Sequence, residues 1–221
     1  MPLQAVIFDL DGVLIDSADA HLRSWQELAA EIRGHITQEQ FLTTFGRQNR
    51  DVIPMLFGIH DAVEVDRLGE RKEAFYRDAI RGNVPACDHA ADLVRECVSA
   101  GLQIAVGSSG HPLNIEIALQ EMGIADCFKA VVTGYDVTRG KPDPEVFLLA
   151  AERLSVEPQQ CVVIEDAPAG IAAARAGGMF AVGITTGHTA EALTGAHLIV
   201  DSLAELSPTI LSELARSSPA T

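Results

Sequence analysis

Short runs of β-branched and other apolar residues alternate along most of the chain with longer stretches of helical apolar spacing. The short runs fall at 5–8, 103–107, 130–133, 161–164, 180–184 and 198–200. Most are apolar at successive positions, as expected of strands covered on both faces in a parallel sheet. Between them, 90–100, 113–122, 144–154 and 169–176 are each long enough for a crossover helix, and Gly101, Gly123 and Gly177 stand where such helices would stop. This alternation predicts an α/β fold with a doubly wound parallel sheet.

One stretch breaks the pattern. From Ser17 to about Arg81 no strand is predicted. Leu22, Trp25, Leu28, Ala29 and Ile32 recur at helical spacing, and Phe41, Phe45, Val52, Ile53, Leu56 and Phe57 continue in shorter helical pieces. Leu68, Phe75 and Ile80 mark a further, charge-rich helix. An all-helical insertion after the first strand, ended by Gly82-Asn83-Val84-Pro85, predicts a second, smaller domain over residues 16–86, with 1–15 and 87–221 forming the larger one. The polar tail from Ser217 to Thr221 is expected to fray.

Composition narrows the function classes. With 221 residues, 48% of them hydrophobic, the chain can bury a sizeable core, which excludes disordered and disulfide-scaffold classes. The formal charge of -15 repels phosphate backbones and anionic lipid, so neither nucleic acid nor membrane is an expected partner. The N-terminus has no basic, apolar leader pattern, and the expectation is a cytoplasmic monomer. Cys87, Cys97, Cys127 and Cys161 stand singly, as buried free thiols would. Only three lysines occur (Lys72, Lys129 and Lys141), so a lysine in a motif calls for a local reason.

Ligands of open α/β sheets bind at the carboxyl ends of the strands, and here those ends are polar together. The first carries Asp9 and Asp11, the second Ser108, Ser109 and Gly110, the loop after the third Lys141, and the fourth Glu165 and Asp166. Carboxylates converging on one crevice repel, and a hard divalent cation with oxygen ligands relieves this. Mg²⁺ with an anionic substrate is the simplest set that satisfies these charges.

The segments DLDGVLIDS, VGSSG, RGKPDPEVF and IEDAPAGIAAARAGG occur in the order and at the spacing of the four motifs of the haloacid dehalogenase (HAD) superfamily, which the chain resembles over essentially its whole length. The likeness is to the branch with a helical cap after the first motif, which contains β-phosphoglucomutase and many sugar-phosphate phosphatases. It implies a Rossmann-like core in which Asp9 attacks phosphorus, Asp11 acts as acid and base, Ser108 and Lys141 hold the phosphoryl group, and Ser109 and Gly110 line its site. It also implies Mg²⁺ on Asp9, the Asp11 carbonyl and Asp166, with Glu165 as ligand or close neighbour. His21, in the context DSADAHLRSW, matches a histidine that orients the acid/base aspartate in mutase-like relatives. Asp16 or Ser17 is expected to cap the helix that follows, and Asp143 to cap the helix near Pro144. His60, His89, His188 and His197 belong to no motif.

Asp11 favours phosphoryl transfer over dehalogenation, because the dehalogenases lack the second aspartate. A phosphonate hydrolase of this branch needs a Schiff-base lysine in the cap, where only Lys72 is available, placed in a charge-rich helix. The mutase pattern has a lysine before a glycine and an arginine three residues after it; here Phe45 and Asn49 stand at those places, beside Arg47 and Arg50. The expected activity is a Mg²⁺-dependent phosphatase of a small phosphate ester, with Arg47, Asn49, Arg50 and His21 contacting substrate from the cap. A β-phosphoglucomutase-like mutase is the alternative, and a phosphate-binding pseudo-enzyme the non-catalytic one.

Overall fold

The structure is a computed structural model and describes residues 2–44 and 47–217. The expectations for Phe45 and for the end of the tail, residues 218–221, lie outside the described residues. The chain divides into two compact units, Met1–Asp16 with Pro85–Thr221, and Ser17–Val84.

The first unit is built on a six-stranded sheet: β1 (Ala5–Phe8), β2 (Gln103–Gly107), β3 (Ala130–Val132), β4 (Cys161–Glu165), β5 (Phe180–Ile184) and β6 (Leu198–Val200). All pairings are parallel, in the order β3-β2-β1-β4-β5-β6. The doubly wound sheet read from the pattern is therefore observed. Ala5, Ile7, Ala105, Val163 and Ala181 pack with Phe147, Ala150 and Ala174 in one cluster, while the alternate positions Val6, Phe8, Ile104, Val162 and Ile164 are equally buried. Burial on both faces is why these runs lack polar alternation.

The crossover helices are α5 (Ala90–Ser99), α6 (Pro112–Glu121), α7 (Glu145–Leu154) and α8 (Pro168–Ala176), following four helices of the second unit, α1 (Ala18–Glu31), α2 (Gln38–Leu42), α3 (Asn49–Phe57) and α4 (Ala62–Ile80). A last helix, α9 (Pro208–Ser217), buries only Leu211 and Ala215, too sparse a stripe to announce itself in the sequence. α7 packs across β1, β2 and β3, and α8 across β4 and β5. Gly101 and Gly123 follow their helices with left-handed φ, whereas Gly177 is right-handed (φ -77°) and Gly178 makes that turn instead. β3 stops one residue early because Thr133 turns away, its N–H and hydroxyl both donating to Asp136 Oδ2. β4 runs one residue longer, through Glu165, which pairs with Gly183.

Strand order reverses between β1 and β4, the switch point at which ligands of such sheets bind. Register places Phe8 opposite Ile164, so the next residues, Asp9 and Glu165, leave adjacent strands side by side. Just beyond, Ile15 bridges to Ala86 and Asp16 N–H donates to Pro85 C=O.

The second unit is all-helical, with a core of Trp25, Leu28, Phe41, Val52, Ile53, Val65 and Leu68. Truncating a fully buried Leu28 to alanine costs about 2–5 kcal/mol. α2 opens with a capping box in which Thr37 and Gln40 exchange side-chain and backbone bonds. Ser17 occupies the cap position of α1, as one of the two residues expected there, but makes no side-chain cap bond, and its buried hydroxyl has no partner among the described residues. Two of the four free cysteines, Cys97 and Cys161, are buried, and Cys87 and Cys127 only partly so.

Candidate active site

Asp9 leaves β1 with its N–H donating to Ile164 C=O and its carboxylate buried. Lys141 Nζ donates to Asp9 Oδ1 at 2.9 Å and to Glu165 Oε1 at 2.7 Å, and sits 4.7 Å from the centre of the Phe147 ring. The aromatic face and two carboxylates thus hold one ammonium. Lys141 follows an exposed turn whose far end is tied down by Glu145, the acceptor of the Thr138 and Arg139 N–H groups, and by Asp143, whose Oδ1 accepts from Glu145 N–H. Asp143 thus stands one residue before the cap position, Pro144, and holds the first N–H of α7 without being its cap residue.

Glu165 has both oxygens engaged, Oε1 by Lys141 and Oε2 by the Ala167 N–H at 2.7 Å. Asp166 is buried beside it. Asp11 is half-buried, and a Cβ built on Gly110 would come within 3.5 Å of its Oδ2 and 3.2 Å of Ser108 Oγ. Gly110 therefore lies against both the Asp11 carboxylate and the Ser108 hydroxyl. Ser108 Oγ accepts from Gly110 N–H at 3.0 Å, which leaves its proton for another acceptor. The structure brings Asp9, Asp11, Ser108, Ser109, Gly110, Lys141, Glu165 and Asp166 to one end of the sheet, in the first unit.

One carboxylate oxygen each from Asp9, Glu165 and Asp166 can be chosen so that all lie within 4.8 Å of one another. Burial drives the Asp9 pKa up to about 7, with Lys141 opposing and Glu165 and Asp11 adding to the rise. Burial, then Glu165 and Asp9, push Asp166 to about 8. Burial also works against the Lys141 ammonium, but Asp9 and Glu165 outweigh it and hold its pKa above the ordinary lysine value. A set of three buried carboxylates offset by one ammonium, with oxygen donors only, suits a hard divalent cation such as Mg²⁺.

The remaining predicted residues lie in the second unit. His21 on α1 stacks on Tyr76 at 4.2 Å, and Lys72 Nζ lies 2.8 Å from His21 Nδ1. Lys72 donates to Glu73 Oε1, as does the Asn49 amide at 2.7 Å. Arg47 and Arg50 are exposed. Lys72, read from the sequence as one charge in a charged helix, is in fact buried, with 2% of its surface exposed. A signal existed: it falls on the α4 stripe of Val65, Leu68, Tyr76 and Ile80, where an apolar residue belongs. His188, which matched no motif, places Nδ1 3.1 Å from the Asp166 carbonyl oxygen.

Comparison with known proteins identifies the family. Residues 3–178 match the family model of the haloacid dehalogenase-like hydrolases. The chain is 35% identical over 207 residues to a validoxylamine A 7'-phosphate phosphatase of Streptomyces hygroscopicus subsp. limoneus, covering 92% of this chain and 95% of the relative. It is 34% identical over 218 residues to a β-phosphoglucomutase of Bacillus subtilis, covering 96% and 95%. A crystal structure of β-phosphoglucomutase from Clostridium difficile superposes with a TM-score of 0.85 at 30% identity, covering 97% of each chain. No helix among the described residues is long and apolar enough to cross a membrane.

Proposed function

The chain belongs to the haloacid dehalogenase-like hydrolases and is a phosphoric monoester hydrolase of that family, and from this premise we propose that it hydrolyses a small sugar-phosphate-like ester through a phosphorylated Asp9. The observation that carries the reading is the Lys141 ammonium held between Asp9 and Glu165 beside a buried Asp166. A lone structural ion pair has no need of a third buried carboxylate.

In this reading an Asp9 oxygen attacks phosphorus, the ester P–O bond breaks, and Asp11 gives its proton to the departing oxygen. Asp11, now a carboxylate, takes a proton from water, whose oxygen attacks phosphorus; the P–O bond to Asp9 breaks and phosphate leaves. Lys141 and the Ser108 hydroxyl hold the phosphoryl oxygens throughout, with the backbone at Ser109 and Gly110 completing the cradle. Mg²⁺, held by Asp9, the Asp11 carbonyl and Asp166, would supply positive charge against the developing oxyanion. Glu165, with both oxygens committed, keeps Lys141 in place. Residues 16–86 act as the cap and set selectivity, with 1–15 and 87–221 as the catalytic domain.

The likeness to β-phosphoglucomutases supports a second reading, a sugar-phosphate mutase. A mutase must grip a second phosphate, and in the second unit Asn49 stands where the mutase pattern has an arginine, which leaves the exposed Arg47 and Arg50 in shifted positions. The Asn49 amide is given to Glu73, and the buried Lys72 is neutralised by the same carboxylate. Hydrolysis is therefore preferred. Phosphate release from a panel of sugar phosphates and p-nitrophenyl phosphate with Mg²⁺ tests it; interconversion of sugar-phosphate isomers without net phosphate release would overturn it in favour of the mutase.

A further inference from the structure

The turn after β5 reaches back over the site from the opposite side of β4. Its root is fixed at the sheet edge, where Thr185 N–H donates to Val200 C=O and the Thr185 hydroxyl to Asp201 Oδ1. Beyond it, the Thr186 hydroxyl donates to the carbonyl of Gly12, in the loop that carries Asp9 and Asp11. Gly187 then passes so close to the Asp166 carboxylate that a Cβ there would lie 2.2 Å from Oδ2. Gly12, with φ +78°, approaches the same oxygen, and its Cβ too would lie 2.2 Å from it. His188 closes the turn by donating from Nδ1 to the Asp166 backbone carbonyl at 3.1 Å. One carboxylate oxygen is thus walled in by two glycines from two loops, and those loops are tied to each other and to the Asp166 backbone.

We propose that Thr186, Gly187 and His188 form a clasp that sets the orientation of the Asp166 carboxylate for a divalent cation, making them positioning residues of the metal site. The inference rests on the reading of Asp166 as a metal ligand. A carboxylate free to rotate would lose part of its binding free energy in becoming ordered, and groups that orient a ligand typically govern metal affinity by about 10- to 100-fold. Gly187 is required because any side chain would take the space of Oδ2. His188 is required as an N–H donor, and Thr186 as a hydroxyl that holds the turn against Gly12.

The test is calorimetric titration of the full chain with MgCl₂ alone, without substrate, alongside thermal unfolding with and without Mg²⁺. Gly187→Ala, His188→Ala and Thr186→Val should each weaken Mg²⁺ binding about tenfold or more. His188→Asn, whose amide N–H stands near the position of Nδ1, and Thr186→Ser should recover most of the loss. The rise in melting temperature on adding Mg²⁺ should shrink in step, which a role in folding alone would not produce. If Gly187→Ala does not fold, the His188 and Thr186 pairs decide the matter. Mg²⁺ affinity within about twofold of wild type in His188→Ala and Thr186→Val would overturn the clasp. Wild-type protein that binds no Mg²⁺, or an Asp166→Asn variant that binds it as well as wild type, would instead overturn the metal reading of Asp166.

Discussion

Lys141 and Asp9 lie 132 residues apart in the chain and 2.9 Å apart in space, with the lysine's second bond to Glu165 at 2.7 Å. The ammonium is placed by three rigid partners, the two carboxylates and the Phe147 ring, before any substrate arrives. Replacing it by alanine should lower kcat/KM by about 10²-fold or more, the scale for losing one preorganised charge at a reacting centre. Lys141→Arg should restore little, because a planar guanidinium cannot take the place of a point ammonium between those oxygens. Steady-state rates on p-nitrophenyl phosphate check both.

Asp9 and Asp11 should fail differently. Asp9→Asn removes the nucleophile and a metal ligand, so turnover should fall by at least about 10³-fold and Mg²⁺ binding should weaken. Its metal-free melting temperature should not drop, since a buried carboxylate with a raised pKa is replaced by a neutral amide. Asp11→Asn leaves the backbone carbonyl in place, so turnover should collapse while Mg²⁺ binding persists. Calorimetric Mg²⁺ titration beside rate measurements separates the two variants; equal loss of metal binding in both would contradict the assigned roles.

Stability and metal binding should be linked through pH. Asp9 and Asp166 titrate near 7 and 8 when folded, against 3.8 ordinarily. Between those values the folded protein holds protons that the unfolded chain has released, so these two groups make the metal-free protein less stable as pH rises from about 4 to about 8. His197, its pKa lowered by burial and by Arg175, works in the opposite direction through the ordinary histidine value of 6.5. Mg²⁺ competes with the protons on the carboxylates alone. The rise in melting temperature on adding Mg²⁺ should therefore be larger near pH 8 than near pH 6, and the difference should shrink in Asp166→Asn. A Mg²⁺ effect independent of pH would contradict the assignment.

The second unit should separate stability from selectivity. Glu73→Ala strips the carboxylate from Lys72 and Asn49 in a buried cluster, and should destabilise the fold by about 3–5 kcal/mol, seen as a lower urea midpoint. Arg47→Ala and Arg50→Ala alter exposed side chains and should leave stability within about 0.5 kcal/mol. If these arginines hold substrate, kcat/KM should fall more for a favoured sugar phosphate than for p-nitrophenyl phosphate. Equal losses on both would assign them to general charge balance.

Much of this protein is legible without coordinates because the signals are local. An apolar run such as Cys161 to Ile164 announces a strand covered on both faces whatever its neighbours are, and the polar residues that end it, Glu165 and Asp166, are then known to sit at the sheet's carboxyl edge. The helical insertion, the gathering of Asp9, Asp11, Ser108 and Lys141 at one end of the sheet, and the expectation of a cation follow from spacing and charge in the same way. Tertiary structure decided what depends on residues far apart meeting. That Glu165 spends its oxygens on Lys141 and the Ala167 N–H follows from the register of β1 against β4 and the entry of α8. The α4 period places Lys72 on the buried stripe, but which groups would meet its charge there turns on what α1 and α3 place against α4, His21 and Asn49 with Glu73. His188 and Gly187 carry no motif at all. Their part comes from one turn lying within touching distance of Asp166, a distance set by the packing of β5 beside β4 and written in no short stretch of sequence.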